Sequence, residues 1–210
     1  YIIGIFGIYR MKVRATVDNP DSQFFAMPQT ITPAGIELNP ATEHIDEMIK
    51  MTKSLIEKAN IKADLISSIG ISYQMHGLVL VDENLNPLRK SIIWCDSRAT
   101  PYGDKAFENL GKSYCKENLL NSPGNFTASK LGWVIDNEPE IYNNAYKLML
   151  PGDFLVAKLT GEFQTTITGL SEGIFWDFKN DTPSDRLFDY YHIDKSLIPE
   201  IVPNFIEQAR

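Results

Sequence analysis

The residues best placed to do chemistry are Ser72-Tyr73-Gln74-Met75-His76-Gly77, a polar run between two apolar ones. Hydroxyl, amide, thioether and imidazole groups follow one another there. Such a set can grip both the hydroxyls and the apolar face of a small polar ligand. His76 is the one histidine with these flanks, and it can either contact a ligand or brace a turn through its ring nitrogens. A metal role lacks support, because no second His or Cys lies at ligand spacing. Trp94 and Asp96 form a second set. An indole can cover the C–H side of a polyol while a carboxylate accepts its hydroxyl hydrogens. Against this, Trp94 ends an apolar strand, where core packing is the simpler role, and Asp96 has Arg98 close by as an ion-pair partner. Asp153 reads as a helix cap, Lys130 as an ordinary member of an amphipathic helix start, and Asp177 as a surface or turn residue. A Walker-type phosphate loop, a Gly-x-Ser-x-Gly elbow and an HExxH helix are all absent from the sequence.

These groups need rigid supports. Residues Leu65 to Ser72 and Gly77 to Val81 are rich in β-branched side chains and bounded by breakers, so both read as strands. The polar run then sits at a strand end, where a sheet presents its binding loops. Ser91 to Trp94 reads as a short strand leading into Cys95-Asp96-Ser97-Arg98. Earlier, Tyr1 to Ile8, Lys12 to Asp18 and Gln23 to Ile31 read as three strands, with a turn at Asn19-Pro20-Asp21, and suggest an antiparallel meander. A helix is predicted over 40–60, with Asn39 as N-cap, Pro40 in its first turn and an Ile45, Met48, Ile49, Leu55, Ile56, Ala59 stripe. Helices are also expected from Tyr102, over 128–136, over 153–159 ending at Gly161, and over 186–191; Phe163 to Thr168 alternates like a strand. Strands, a helix and then further strands indicate an α/β (α+β) fold with a mixed sheet.

Composition narrows the function. The 210 residues are 43% apolar, enough for a substantial core. A net charge of −7 without a basic cluster argues against nucleic acid and anionic membrane as partners. No apolar run reaches the length of about 18 residues that a membrane span needs, and no secretory signal pattern opens the chain. Cys95 and Cys115 do not form a CxxC pair, which fits a reducing cytoplasm.

Taken together, the segments resemble the amino-terminal domain of the FGGY carbohydrate kinases. Gln74-Met75-His76-Gly77 followed by an apolar strand and Asp82 is similar to the family's sugar-binding segment. Ile92-Ile93-Trp94-Cys95-Asp96-Ser97-Arg98 resembles its Trp-x-Asp-x-Arg stretch. Phe126 to Trp133 with Asn137-Glu138-Pro139-Glu140 resembles a family signature, and Leu150-Pro151-Gly152-Asp153-Phe154-Leu155 with Leu159-Thr160-Gly161-Glu162 follows in the family order. Gly35 to Pro40 is similar to the family's Gly-Trp-Ala-Glu-x-x-Pro loop. The order and spacing carry the resemblance more than any one segment.

The resemblance implies a ribonuclease H-like, actin-like ATPase lobe over 1–203, with 204–210 opening a hinge to a carboxy-terminal ATP-binding domain. It implies ATP- and magnesium-dependent phosphorylation of D-xylulose at its 5-hydroxyl, the xylulose branch being favoured over glycerol, gluconate or ribulose. Met75 and His76 would contact the sugar, and Trp94 and Asp96 would line the pocket. Implied partners are the sugar, the second domain and, as an allowed state, a second copy in a homodimer. Two departures stand out. The family's Asp-x-Gly-Thr-x-Ser-x-Lys turn is replaced by Phe6-Gly7-Ile8-Tyr9-Arg10-Met11-Lys12, a pattern expected of a local frameshift or sequence error. The family's Gly-Gly-Gly-Asp-Asn-type loop, with its catalytic-base Asp, is not found, so no catalytic residue is assigned and the 210-residue chain is expected to be inactive alone. The alternative reading is a non-catalytic sugar-binding or regulatory module derived from such a lobe.

Overall fold

Leu78, Val79, Leu80 and Val81 are all at most 1% exposed, so this short strand is covered on both faces. Successive side chains point to opposite sides of a strand. Leu78 and Leu80 accordingly join one apolar cluster, and Val79 and Val81 a second. Burial on both faces is worth roughly 1.5–3 kcal/mol per side chain and makes this strand the spine of the lobe.

The computed structural model describes residues 2–6, 14–15, 37–38, 42–60, 62, 65–66, 68–204 and 206. In chain order it has β1 (Ile2–Phe6), β2 (Arg14–Ala15), β3 (Glu37–Leu38), α1 (Thr42–Lys58), β4 (Ser68–Ser72), β5 (Val79–Val81) and β6 (Ser91–Ile92). Then come α2 (Thr100–Leu110), α3 (Lys112–Tyr114) running into one π turn at Cys115–Leu119, α4 (Thr127–Asn137), α5 (Pro139–Asn143) and β7 (Lys147–Met149). The last elements are α6 (Pro151–Thr160), β8 (Gln164–Thr166), α7 (Ile167–Glu172), β9 (Trp176–Asp177), β10 (Thr182–Pro183), α8 (Asp185–Tyr191) and β11 (Glu200–Val202).

The sheet pairing is mixed, as the sequence predicts. β1 runs antiparallel to β2 and parallel to β4, with Ile3 opposite both Ala15 and Ile69. The described residues show the first step of the predicted meander, the antiparallel β1–β2 pair, and β1 takes the parallel β4 from beyond α1 on its other edge. The predicted strand over 23–31, the 19–21 turn, the 35–36 and 39–40 loop residues with the Asn39 cap, and the departure over 7–12 lie outside the described residues. β5 pairs antiparallel with β7, and Leu78 bridges Ile92 just beyond β6 register, through mutual backbone bonds of 2.9 and 3.1 Å. β3 pairs antiparallel with β6, β8 runs parallel to β11, and β9–β10 is a short antiparallel pair.

The larger cluster packs Leu78, Leu80, Ile92 and Leu148 against α2, α4 and α8. The smaller sets Val79, Val81 and Met149 against Phe154 and Ala157 of α6, with Ile49, Leu55 and Ile56 of α1 alongside. α4 lies so close to α8 that a Cβ on Gly132 would come 2.6 Å from the Tyr191 ring, while Ser129 Oγ and Tyr191 Oη share a hydrogen bond of 2.9 Å. α6 stops at Gly161, whose φ of +83° suits a residue without a side chain. β8 ends at Thr166, two residues before the predicted strand end. Its hydroxyl accepts the Gly169 N–H and caps α7, so the local capping bond outcompetes extension of the strand.

Candidate functional site

The Tyr73–Gly77 turn leaves β4 and is wedged among three helices. Tyr73 lies on the first turn of α6, where a Cβ on Gly152 would sit 2.0 Å from the ring; a Cβ on Gly77 would sit 2.6 Å from Pro151. His76 adopts φ +39°, the left-handed region that a non-glycine residue enters only when its surroundings hold it there. The surroundings are specific. Its backbone N–H donates to Glu172 at the end of α7, its carbonyl accepts from Lys130 Nζ at 2.7 Å, and its ring Nδ1 lies 3.3 Å from the same ammonium. The imidazole also packs on Phe126, ring centres 4.8 Å apart.

A second turn meets the first. Trp94 N–H donates to Gln74 Oε1 at 3.1 Å, and Asn125 Nδ2 donates to the carbonyls of Asp96, at 2.7 Å, and Trp94, at 3.3 Å. The Gln74 side-chain amide thus joins the two turns across 20 residues of chain, and Asn125 ties the second turn to the loop before α4. Met75 and Trp94 are 59% and 49% exposed beside these clasps. Exposure of a Trp at this level overturns its expected place in the core: β6 ends at Ile92, Ile93 is the last buried residue, and the chain turns before the indole. The structure therefore brings Met75, His76, Trp94 and Asp96 into two turns that meet, one after β4 and one after β6.

Asp96 behaves as the ion-pair reading expects. Arg98 donates from its backbone N–H and Nε to Oδ1 and from Nε and Nη2 to Oδ2, at 2.7–3.1 Å. Burial opposes the charge, but these bonds and the guanidinium hold the carboxyl below its usual range. Arg98 also lies over the Trp133 ring, 4.7 Å from its centre.

Lys130 is the residue sequence reasoning passed over. It is fully buried, in the α4 turn where Thr127 to Gly132 are all enclosed. Burial lowers its pKa to about 8, while Asp96, Cys95 and Glu172 pull the other way. An ammonium cannot accept a hydrogen bond, so it is the donor to His76 Nδ1. Burial and the Lys130 charge lower the His76 pKa to about 4, and the ring is neutral. The available signal was the small and apolar company of Lys130 in Thr127-Ala128-Ser129-Lys130-Leu131-Gly132, which lacks a solvent face. Glu172 carried no signal, being 96 residues from its partner His76.

Asp153 is a cap of a different kind from the one expected. It sits three residues inside α6, whose N-cap is Leu150, and its Oδ2 accepts from Thr165 Oγ1 at 2.9 Å and from the Leu150 N–H at 3.4 Å. Burial pushes its carboxyl up to about 7, with the nearby Glu172 adding to the rise. Burial also raises the Glu172 carboxyl and the Tyr73 hydroxyl. Asp177 is a turn residue, as expected, but buried: it accepts from the Asn118 and Asn180 amides and from the backbone N–H groups of Lys179 and Asn180. Among the described residues, no three His, Cys, Asp or Glu side chains converge as a metal site. The acidic groups are already engaged: Asp96 by Arg98, Asp177 by amides, and Asp153 and Glu172 in burial that favours the proton.

The model of the amino-terminal domain of the FGGY family of carbohydrate kinases matches residues 22–205. The chain belongs to this family. Among relatives of this FGGY domain, a xylulose kinase of Staphylococcus xylosus is 36% identical over 138 residues, covering 65% of this chain and 29% of its own length. A glycerol kinase of Thermococcus kodakarensis is 28% identical over 173 residues, covering 80% of this chain and 35% of its own. The FGGY lobe thus spans about a third of the curated relatives it matches. Among solved structures, a gluconate kinase from Lactobacillus acidophilus superposes with a TM-score of 0.81 at 22% identity, over 96% of this chain and 41% of that one. A ligand-bound xylulose kinase from the same organism gives 0.79 at 22% identity, over 96% and 42%. At that identity the likeness establishes the fold, the actin-like lobe expected from the sequence.

Proposed function

We propose that this FGGY chain is the sugar-binding lobe of a kinase that phosphorylates D-xylulose at its 5-hydroxyl. The observation that carries the reading is a neutral His76 clamped in a left-handed turn whose Gln74 clasps the backbone of Trp94, an indole left half in solvent. A neutral imidazole whose Nδ1 accepts from Lys130 keeps Nε2–H as its donor, suited to a hydroxyl oxygen. Trp94 offers an apolar face for the C–H side of a sugar, Met75 an adaptable exposed thioether beside it, and Asp96 lines the pocket through a turn held by Arg98 and Asn125. Relatives named xylulose kinase support this substrate over glycerol.

In this reading the lobe covers 1–203, and 204–210 leads to a second domain holding ATP and most of the phosphate machinery. Among the described residues no three acidic, His or Cys side chains converge, and Asp96, Asp153, Glu172 and Asp177 do not fit a magnesium ion; no step is derived through ATP or magnesium. No catalytic residue is placed in this chain. Its place in the cell is proposed to be cytoplasmic, and a homodimer is compatible with the lobe; among the described residues no helix is long and apolar enough to cross a membrane.

Titration calorimetry with D-xylulose, glycerol and gluconate tests the proposal. D-xylulose should bind the chain more tightly than the other two. Trp94→Ala should weaken D-xylulose by about 1 kcal/mol, roughly fivefold, with little loss of stability because the indole is exposed. Tighter binding of glycerol or gluconate would reassign the substrate. Absence of heat with all three would remove the sugar site.

A further inference from the structure

We propose that Lys130 is the positioning residue that sets the tautomer of His76, so that the ring meets a polyol hydroxyl as an Nε2–H donor. The inference rests on the sugar-binding reading of His76 and adds a residue to it. Three structural features converge. Lys130 is fully buried, in a helix whose neighbouring turn carries Thr127, Ala128, Ser129 and Leu131 into the core. Its ammonium reaches two acceptors of one residue, the His76 carbonyl at 2.7 Å and Nδ1 at 3.3 Å. His76 itself needs external support, being at φ +39° with its N–H committed to Glu172.

A structural ion pair would satisfy Lys130 with a direct carboxylate bond. Instead Asp96 acts on it as a neighbouring charge, while its bonds go to the histidine. Burying an ammonium is costly unless its hydrogens are used. Here two are used on one side chain and backbone, which locks turn and ring together. Left alone, a neutral imidazole exchanges its proton between the two nitrogens, and the fraction of the population bearing Nδ1–H would present a lone pair at Nε2. A cation against Nδ1 removes that fraction. Asp153 and Tyr73 lie further along the same cluster and bear on Glu172 rather than on the ring.

The test is a ¹⁵N histidine spectrum of the 210-residue chain, with His44→Gln and His192→Gln used to assign His76. The expected result is a single neutral Nε2–H tautomer between about pH 6 and pH 7, above the His76 value of about 4 and below the Lys130 value of about 8, so that the ring is neutral while the lysine keeps its charge. Lys130→Met, checked for folding by circular dichroism, should mix the tautomers and weaken D-xylulose binding roughly tenfold. An Nδ1–H or mixed tautomer in the unsubstituted chain overturns the proposal. A folded Lys130→Met with the tautomer unchanged overturns it as well. If Lys130→Met does not fold, the unsubstituted spectrum decides alone. A tautomer that depends on Lys130 in a chain that binds neither D-xylulose nor glycerol overturns the donor role through failure of the sugar reading, and is recognised by success of the spectral arm.

Discussion

Replacing Asp153 by Asn should stabilise the chain at pH 8 and leave it unchanged near pH 4. The ordinary carboxyl value is 3.8, and burial at the start of α6 moves it to about 7. Both protein bonds to the carboxylate arrive at Oδ2, from Thr165 Oγ1 and the Leu150 N–H. An amide oxygen can accept both, and its NH₂ takes the place where a protonated Oδ1–H would lie. The sign follows from linkage. With the folded pKa raised, the folded state binds the proton more tightly than the unfolded state, so stability falls as pH rises from about 4 to about 7. At 1.36 kcal/mol per pH unit this amounts to about 4 kcal/mol. The side chain keeps some contact with solvent, and screening brings the expectation to about 2–4 kcal/mol. Urea unfolding of both proteins at steps from pH 4 to pH 8 reads the difference directly. Glu172 is coupled to position 153, and taking away the like charge relieves it at high pH, in the same direction as the main effect; groups without such coupling cancel between the two proteins. A stability difference independent of pH, or a variant weaker at every pH, would refute the argument that burial dominates over the two hydrogen bonds.

Two further substitutions test the packing that supports the site. Gly103→Ala should cost about 3 kcal/mol or more in urea unfolding, because its Cβ would lie 1.8 Å from the Gly124 carbonyl oxygen, which is backbone and cannot swing aside; a loss below about 0.5 kcal/mol would contradict that approach of α2 to the loop before Asn125. Ser184→Ala should cost about 1–2 kcal/mol, since Ser184 Oγ caps α8 by accepting the Leu187 N–H at 3.2 Å and also shares a bond of 2.8 Å with Tyr114 Oη; a thermal midpoint unmoved by the change would show that the cap is dispensable.

The elements themselves were largely legible. α1 was expected over 40–60 and is described over Thr42–Lys58, α4 over 128–136 and found at Thr127–Asn137, α8 over 186–191 and found at Asp185–Tyr191. Each carries its apolar stripe within its own turns, so local spacing suffices. The ordered segments around Gln74–Gly77 and Trp94–Arg98 also sufficed to indicate the FGGY family, which the domain match over 22–205 bears out. The misses share a cause. Trp94 looked like a core residue because it follows Ile92 and Ile93, and only the turn after β6 puts it in solvent.

What the amino-acid order determined by itself was the set of elements, their caps and breakers, and the polar segment at the end of β4. These depend on residues within a few positions of one another, and propensity and periodicity act at that range. Tertiary structure alone decided that Lys130, 54 residues from His76, would lose all its solvent and take the ring nitrogen, and that Glu172 would hold the backbone of the same turn from 96 residues away. Desolvation and charge proximity have no counterpart in linear spacing; they arise only when α4, α6 and α7 close around one turn.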